Sequence, residues 1–292
     1  MRWDRGRRKK KWIGGGLIGL VAAAAVLGVL NIVPSGFYRE YRDNVAGRMA
    51  RHSDTAILRE TDMAGLPEPV RRYLGYTGAV GQPRVHSFRA VFHGAMKADP
   101  EGGWLTIRSE QVNFYGERAR FFYIRSSMYG IPFDGYHRYS GNHATMRIRL
   151  AHLATVADAK GPEMDRGETV TLFNDMCLLA PATLADTSIR WRTLSDTVVM
   201  AVFTNAGQTI RAYLFFNRAG ALVNFISFDR YLSSDGKEYL SYPWSTPVAR
   251  YRNFGALKLA SFGEAVWHTP RGRYAYARFN LAEVVINPLI SP

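Results

Sequence analysis

Hydrophobic and polar positions divide the chain into three stretches of different character. The first is a run of 22 residues, Trp12 to Val33 (WIGGGLIGLVAAAAVLGVLNIV), with no charge and Asn31 as its only strongly polar side chain. In a lipid core every backbone polar group must pair within the segment, and a helix achieves that. At a rise of 1.5 Å per residue such a helix is about 33 Å long, enough for a bilayer core of about 30 Å. The second stretch has helical spacing. Ser35 stands where a cap would, and Tyr38, Tyr41, Val45 and Met49 recur at intervals of three and four. In LPEPVRRYLGYTG, Pro67 and Pro69 open a helix, Val70, Tyr73 and Leu74 form its apolar stripe, and Gly75 or Gly78 ends it.

From Val85 the period becomes two. Phe88, Ala90, Phe92 and Met96 alternate with Arg89, His93 and Lys97, and DPEGG then reads as a turn. WLTIRSEQVNFY, ARFFYIRSSM, DGYHRYSG and ATMRIRLAHLATVA continue as an antiparallel meander, with a hairpin turn in HRYSGNHA. Arg166 to Leu184 (RGETVTLFNDMCLLAPATL) interrupts it. Val170, Phe173, Asn174, Cys177 and Leu178 share a helical stripe there, and Pro181 stops the helix. SIRWRTL, TVVMAVFT, TIRAYLFFN and ALVNFISFDRYL resume the strands, with Gly207 and Gly220 in loops that need positive φ. TVVMAVF is apolar on both faces, which suits a central strand. PVARYRNF, EAVWHT, RYAYARFNL and EVVIN complete eleven or twelve strands, and a sheet of that size must curl or close. The expected fold is α+β: a large curved antiparallel sheet, half-barrel-like, with a helix across it and one transmembrane helix before it.

Charge adds an orientation. Residues 1–11 hold seven basic side chains (Arg2, Arg5, Arg7, Arg8, Lys9, Lys10, Lys11) against Asp4. The twenty residues after the run hold Arg39, Arg42, Arg48 and Arg51. The positive-inside rule places the N-terminus in the cytoplasm and the rest outside it. The run is long for a signal-peptide core and its exit lacks a small-residue cleavage site, so it reads as an uncleaved anchor. The expected division is a basic tail (1–11), a membrane span (12–33), a juxtamembrane helix and linker (34–61) and a β-rich extracytoplasmic domain (62–292). The net charge of +14 includes no basic block beyond the tail. It fits proximity to anionic lipid and does not suggest a nucleic-acid partner. Gly14, Gly16 and Gly19 spell G-x-G-x-x-G without a preceding strand, so no dinucleotide site follows. Gly15 and Gly19 form G-x-x-x-G, a candidate face for a weak helix dimer.

LPEPVRRYL (Leu66–Leu74), Gly102-Gly103-Trp104, GETVTLFNDMCLLAPATL (Gly167–Leu184), Pro243-Trp244, Tyr251-Arg252 and Trp267 resemble a bacterial family of uncharacterised proteins, a domain of unknown function. The FNDMCLL helix differs from the Glu-and-Trp form of other members. The resemblance implies a fold similar to the half-barrel of periplasmic lipoprotein carriers. It brings no activity and no catalytic residues.

Candidate chemistry is sparse. G-x-S-x-G, H-E-x-x-H, C-x-x-C and P-loop patterns are absent. The seven histidines form no i,i+4 pair on a helix, so no metal site is expected, and no cofactor. Cys177 is the only cysteine, so no internal disulfide can form. Asn174 and Asp175 interrupt an apolar helix, and a buried carboxylate requires a partner. Arg230, Arg250 and Arg252 are the candidates for it. Trp104, Trp244, Trp267, Tyr251 and Phe173 either fill a core or line an apolar cavity. The expected ligand-contacting residues are therefore Asn174, Asp175, Arg230, Trp244, Tyr251 and Trp267. The leading expectation is a membrane-anchored domain that binds a hydrophobic or lipid-like ligand without catalysis. An envelope-acting hydrolase with a site near Asp175, and a structural or partner-docking module, stay open beside it.

Overall fold

The computed structural model describes residues 28–29, 32–48, 56–128, 130–233 and 236–288. The basic tail, nearly all of the expected membrane span and the Gly15–Gly19 pair lie outside them. Among the described residues no helix is long and apolar enough to cross a membrane.

Helix α1 (Gly36–Ala46) begins where Ser35 Oγ accepts the Tyr38 amide at 3.1 Å. Helix α2 (Glu68–Thr77) opens on Pro67 and Pro69 and closes on Gly78, whose φ of 70° suits glycine. Six strands follow: β1 (Ser87–Met96), β2 (Leu105–Phe114), β3 (Ala119–Met128), β4 (Ile131–Ser140), β5 (His143–Leu150) and β6 (Ala154–Lys160). Helix α3 (Pro162–Leu179) comes next, and a short 3-10 turn, Pro181–Ala185, carries the chain out of it. The second half holds β7 (Ile189–Ser195), β8 (Val198–Asn205), β9 (Gln208–Phe216), β10 (Leu222–Ser227), β11 (Tyr231–Leu232), β12 (Leu240–Ser241), β13 (Trp244–Ser245), β14 (Val248–Phe254), β15 (Leu257–Thr269) and β16 (Gly272–Ile286). Two hairpins turn on paired positive-φ residues, Gly141-Asn142 (58° and 68°) and Ala206-Gly207 (52° and 84°). That geometry matches the twist of the flanking strands.

Fourteen strands form one antiparallel sheet in the order β6-β5-β4-β3-β2-β1-β16-β15-β13-β10-β9-β8-β7, with β14 on β15; β11 and β12 pair separately. Thirteen strands side by side would span about 58 Å if flat. Helix α3, about 27 Å long, leaves edge strand β6 and leads to the opposite edge, β7. It packs on β5 and β6 at one side and on β9 and β10 at the other. The sheet therefore curls into a half-barrel with α3 across its concave face.

Both faces of β2–β4 are covered. On the outer face Phe37, Tyr41 and Val45 of α1 pack on Val112, Phe114, Phe121, Tyr123 and Tyr136. On the inner face the main core joins α2 and α3 to the β7–β10 wing through Tyr73, Phe173, Phe203 and Phe225.

The structure corrects several expectations. Strands number sixteen among the described residues. The two-residue pairings β11–β13 are too short to show alternation, while RYAYARFNL and EVVIN are one strand kinked at a bulge opposite Val91 and Phe92. TVVMAVF, expected at the centre, is β8, one strand from the edge. Val199, Ala201 and Phe203 face the core, and the alternate residues are half-buried. Helix α3 begins at Pro162 instead of Arg166. It also has no single apolar stripe: Gly167 through Cys177 are all buried because sheet surrounds it, and Leu178 is less so.

Candidate functional site

Between α3 and the sheet lies a cavity of about 150 Å³. Glu168, Thr171, Asn174, Asp175 and Leu178 line it from α3. Their spacing of three and four places them on one helical face. The strands supply most of an apolar wall: Phe92 and Met96 from β1, Phe122 and Ile124 from β3, and Phe279 and Leu281 from β16. Phe279 meets Phe92 and Phe122 edge-on at 5.7 and 6.1 Å, so this wall is a packed aromatic group.

The floor is charged. Arg120 on β3 is 5% exposed, Glu168 1% and Asp175 7%. Arg120 Nε donates to Asp175 Oδ2 at 2.8 Å and its NH1 to Glu168 Oε2 at 3.1 Å, with the guanidinium over the Phe122 ring. Asp175 Oδ2 also accepts from Gln111 Nε2 at 2.6 Å and Asn113 Nδ2 at 3.0 Å. Glu168 Oε1 lies 3.6 Å from both Arg230 NH2 and His137 Nδ1. Asn174 Nδ2 donates to Thr246 Oγ1 at 2.7 Å.

These contacts divide the two carboxyls. Burial alone would raise Glu168, but Arg120, His137 and Arg230 hold it down at about 2. Burial pushes Asp175 above its ordinary value against the pull of Arg120 and Asn113. Burial would lower Arg120, yet Asp175 and Glu168 hold it above its usual range. The floor thus carries two cations and two carboxylates, a paired set that satisfies the requirement for burying charge.

Of the six residues expected at a site, Asn174, Asp175, Arg230 and Trp244 line this cavity. The Arg230 guanidinium lies 4.3 Å over the Trp244 ring and 5.7 Å from that of Trp267. Trp267 stacks on Tyr276. Tyr251 is placed elsewhere, its hydroxyl donating to the Leu222 carbonyl at 2.9 Å and its ring edge-on to Tyr76. The expected partners of Asp175 are corrected. Arg230 reaches Glu168 instead, Arg252 donates to the Leu281 carbonyl, and Arg250 covers Phe262. The actual partner is Arg120, with Gln111 and Asn113. Gln111 and Asn113, two apart in QVN, share one strand face, and that was their signal in the sequence; Arg120, in a strand apolar on both faces, had none.

Cys177 is sealed from solvent, and burial and the nearby Asp175 push its thiol well above its ordinary value. That is opposite to the activation a nucleophilic cysteine requires.

No curated protein matches the chain. A LolA-superfamily protein from Nitrosomonas europaea aligns over 76% of this chain and 94% of its own, at 11% identity and a TM-score of 0.40. A DUF1329 family protein from Desulfovibrio piger aligns over 81% of this chain and 96% of its own, at 6% identity and a TM-score of 0.40. Residues 56–279, from just before α2 to within the last strand and including every cavity-lining position but Leu281, match the profile described as "Family of unknown function (DUF6544)", and the chain belongs to that family.

Proposed function

We propose that this domain binds a hydrophobic or lipid-like small molecule between α3 and the concave face of the sheet. The observation that carries the reading is the cavity itself: an aromatic wall on one side and a charge-matched polar floor on the other. An interior built only for stability would fill such a space, because packing to crystal-like density is worth several kcal/mol. At about 150 Å³ the space matches one that holds a benzene-sized molecule. It therefore takes the end of an amphiphile rather than a whole lipid. The membrane span at 12–33 belongs to the same proposal, supported by its length and by the basic tail: it tethers the domain outside the cytoplasm, next to a source of such molecules.

Native mass spectrometry of the full chain, extracted in mild detergent, tests the binding. A small amphiphile should accompany the folded protein and leave on unfolding. Ala265→Phe, which places a ring in the cavity, should empty it without loss of fold. A wild-type protein that is always empty and takes up no added amphiphile refutes the reading. A reporter at the C-terminus tests the tether, and activity confined to the cytoplasm would rule it out.

A further inference from the structure

The polar floor also selects the ligand's head, and this step rests on the binding reading above. The charges that face the cavity are already matched. Arg120 serves Asp175 and Glu168, Arg230 approaches Glu168, and Glu264 at the cavity's edge pairs with Arg273 and Arg278. A ligand carboxylate or phosphate would arrive beside two carboxylates whose cations are engaged. A ligand ammonium would arrive beside two guanidinium groups. Either adds an unmatched charge to a buried cluster, which is costly.

Hydrogen-bonding capacity, by contrast, is left over. All three donors to Asp175 converge on Oδ2, and Oδ1 accepts none among the described residues. Asn174 uses one end of its amide on Thr246. Both residues are more than nine-tenths buried and line the cavity. They are adjacent on α3, and among the described residues each leaves one oxygen without a donor, Asp175 Oδ1 and Asn174 Oδ1. A head with two hydroxyls satisfies both, because each hydroxyl donates once.

We propose that the ligand is an amphiphile with an uncharged head bearing two hydroxyls, such as a glycerol monoester. The head sits on Asp175 Oδ1 and Asn174, and the first carbons of its chain lie along Phe92, Phe122 and Phe279.

Competition within one sample tests this. Full-length protein in mild detergent is offered equimolar 1-monolaurin, laurate and dodecylammonium, which share a tail length, and occupancies are read by native mass spectrometry. Monolaurin should exceed each charged competitor at least tenfold. Asp175→Asn removes one negative charge and keeps the shape, so laurate should gain at least tenfold relative to monolaurin. Asn174→Ala should weaken monolaurin several-fold and leave laurate unchanged, a second variant should the first fail to fold. If laurate or dodecylammonium equals monolaurin in wild type, and Ala265→Phe still abolishes uptake, the head assignment is overturned while the cavity reading survives. If none of the three binds, or Ala265→Phe changes nothing, the cavity reading itself fails.

Discussion

Replacing Arg120 with Met removes the one cation that bridges both buried carboxylates. The side chain keeps much of its apolar length over Phe122, so the change is mainly electrostatic. Glu168 is held at about 2 against an ordinary 4.5. That displacement corresponds to about 3 kcal/mol of stability at neutral pH, with Arg120 its largest favourable source. Asp175 would lose its ion-pair partner as well. Breaking a buried pair by removing one partner costs about 3–5 kcal/mol, a large fraction of the roughly 5–15 kcal/mol that holds an ordinary domain folded. The pH dependence separates this from lost packing. In wild type, Glu168 titrates lower when folded than unfolded. Its contribution is therefore complete above 4.5 and is lost as pH falls toward 2. In the variant Glu168 keeps only His137 and Arg230, so its favourable contribution shrinks, and Asp175, already raised by burial, rises further and costs more stability as pH rises. The deficit should be largest near neutrality and shrink toward pH 4.5. Urea unfolding in mild detergent at two pH values, followed by the fluorescence of tryptophans such as Trp244 and Trp267, measures it. A deficit under about 1 kcal/mol, or an equal deficit at both pH values, would refute the electrostatic account.

Three smaller predictions follow from packing. A side chain at Gly94 would overlap the Arg278 carbonyl across the β1–β16 ladder, so Gly94→Ala should cost about 1–3 kcal/mol in the same unfolding assay. Tyr73→Phe removes a buried 2.7 Å hydrogen bond to the Cys177 carbonyl and should cost about 1–2 kcal/mol, with little effect on amphiphile occupancy. Cys177, fully buried, should resist maleimide in the folded protein and react on addition of denaturant; rapid native labelling would show that α3 is less enclosed than described.

Local chemistry in the sequence was enough for much of this protein. The Gly141-Asn142 and Ala206-Gly207 turns, the Ser35 cap, the proline-opened α2 and the stop before Pro181 depend on neighbours a few residues away, so they are legible in the chain itself. So was the conclusion that Asp175, set in an apolar helix, needs a buried partner. The identity of that partner was not legible. In ARFFYIRSSM both strand faces are apolar, because α1 covers Phe121 and Tyr123 on one side while Phe122 and Ile124 line the cavity on the other. Alternation alone cannot then say which way Arg120 points. Glu168 likewise reads as an ordinary acid in the first half of a helix until the strands enclose it. Burial of a helix on every side, and the pairing of residues 55 positions apart, arise only when the sheet curls round α3, and a curvature set by fourteen strands together is written in no single stretch of the chain.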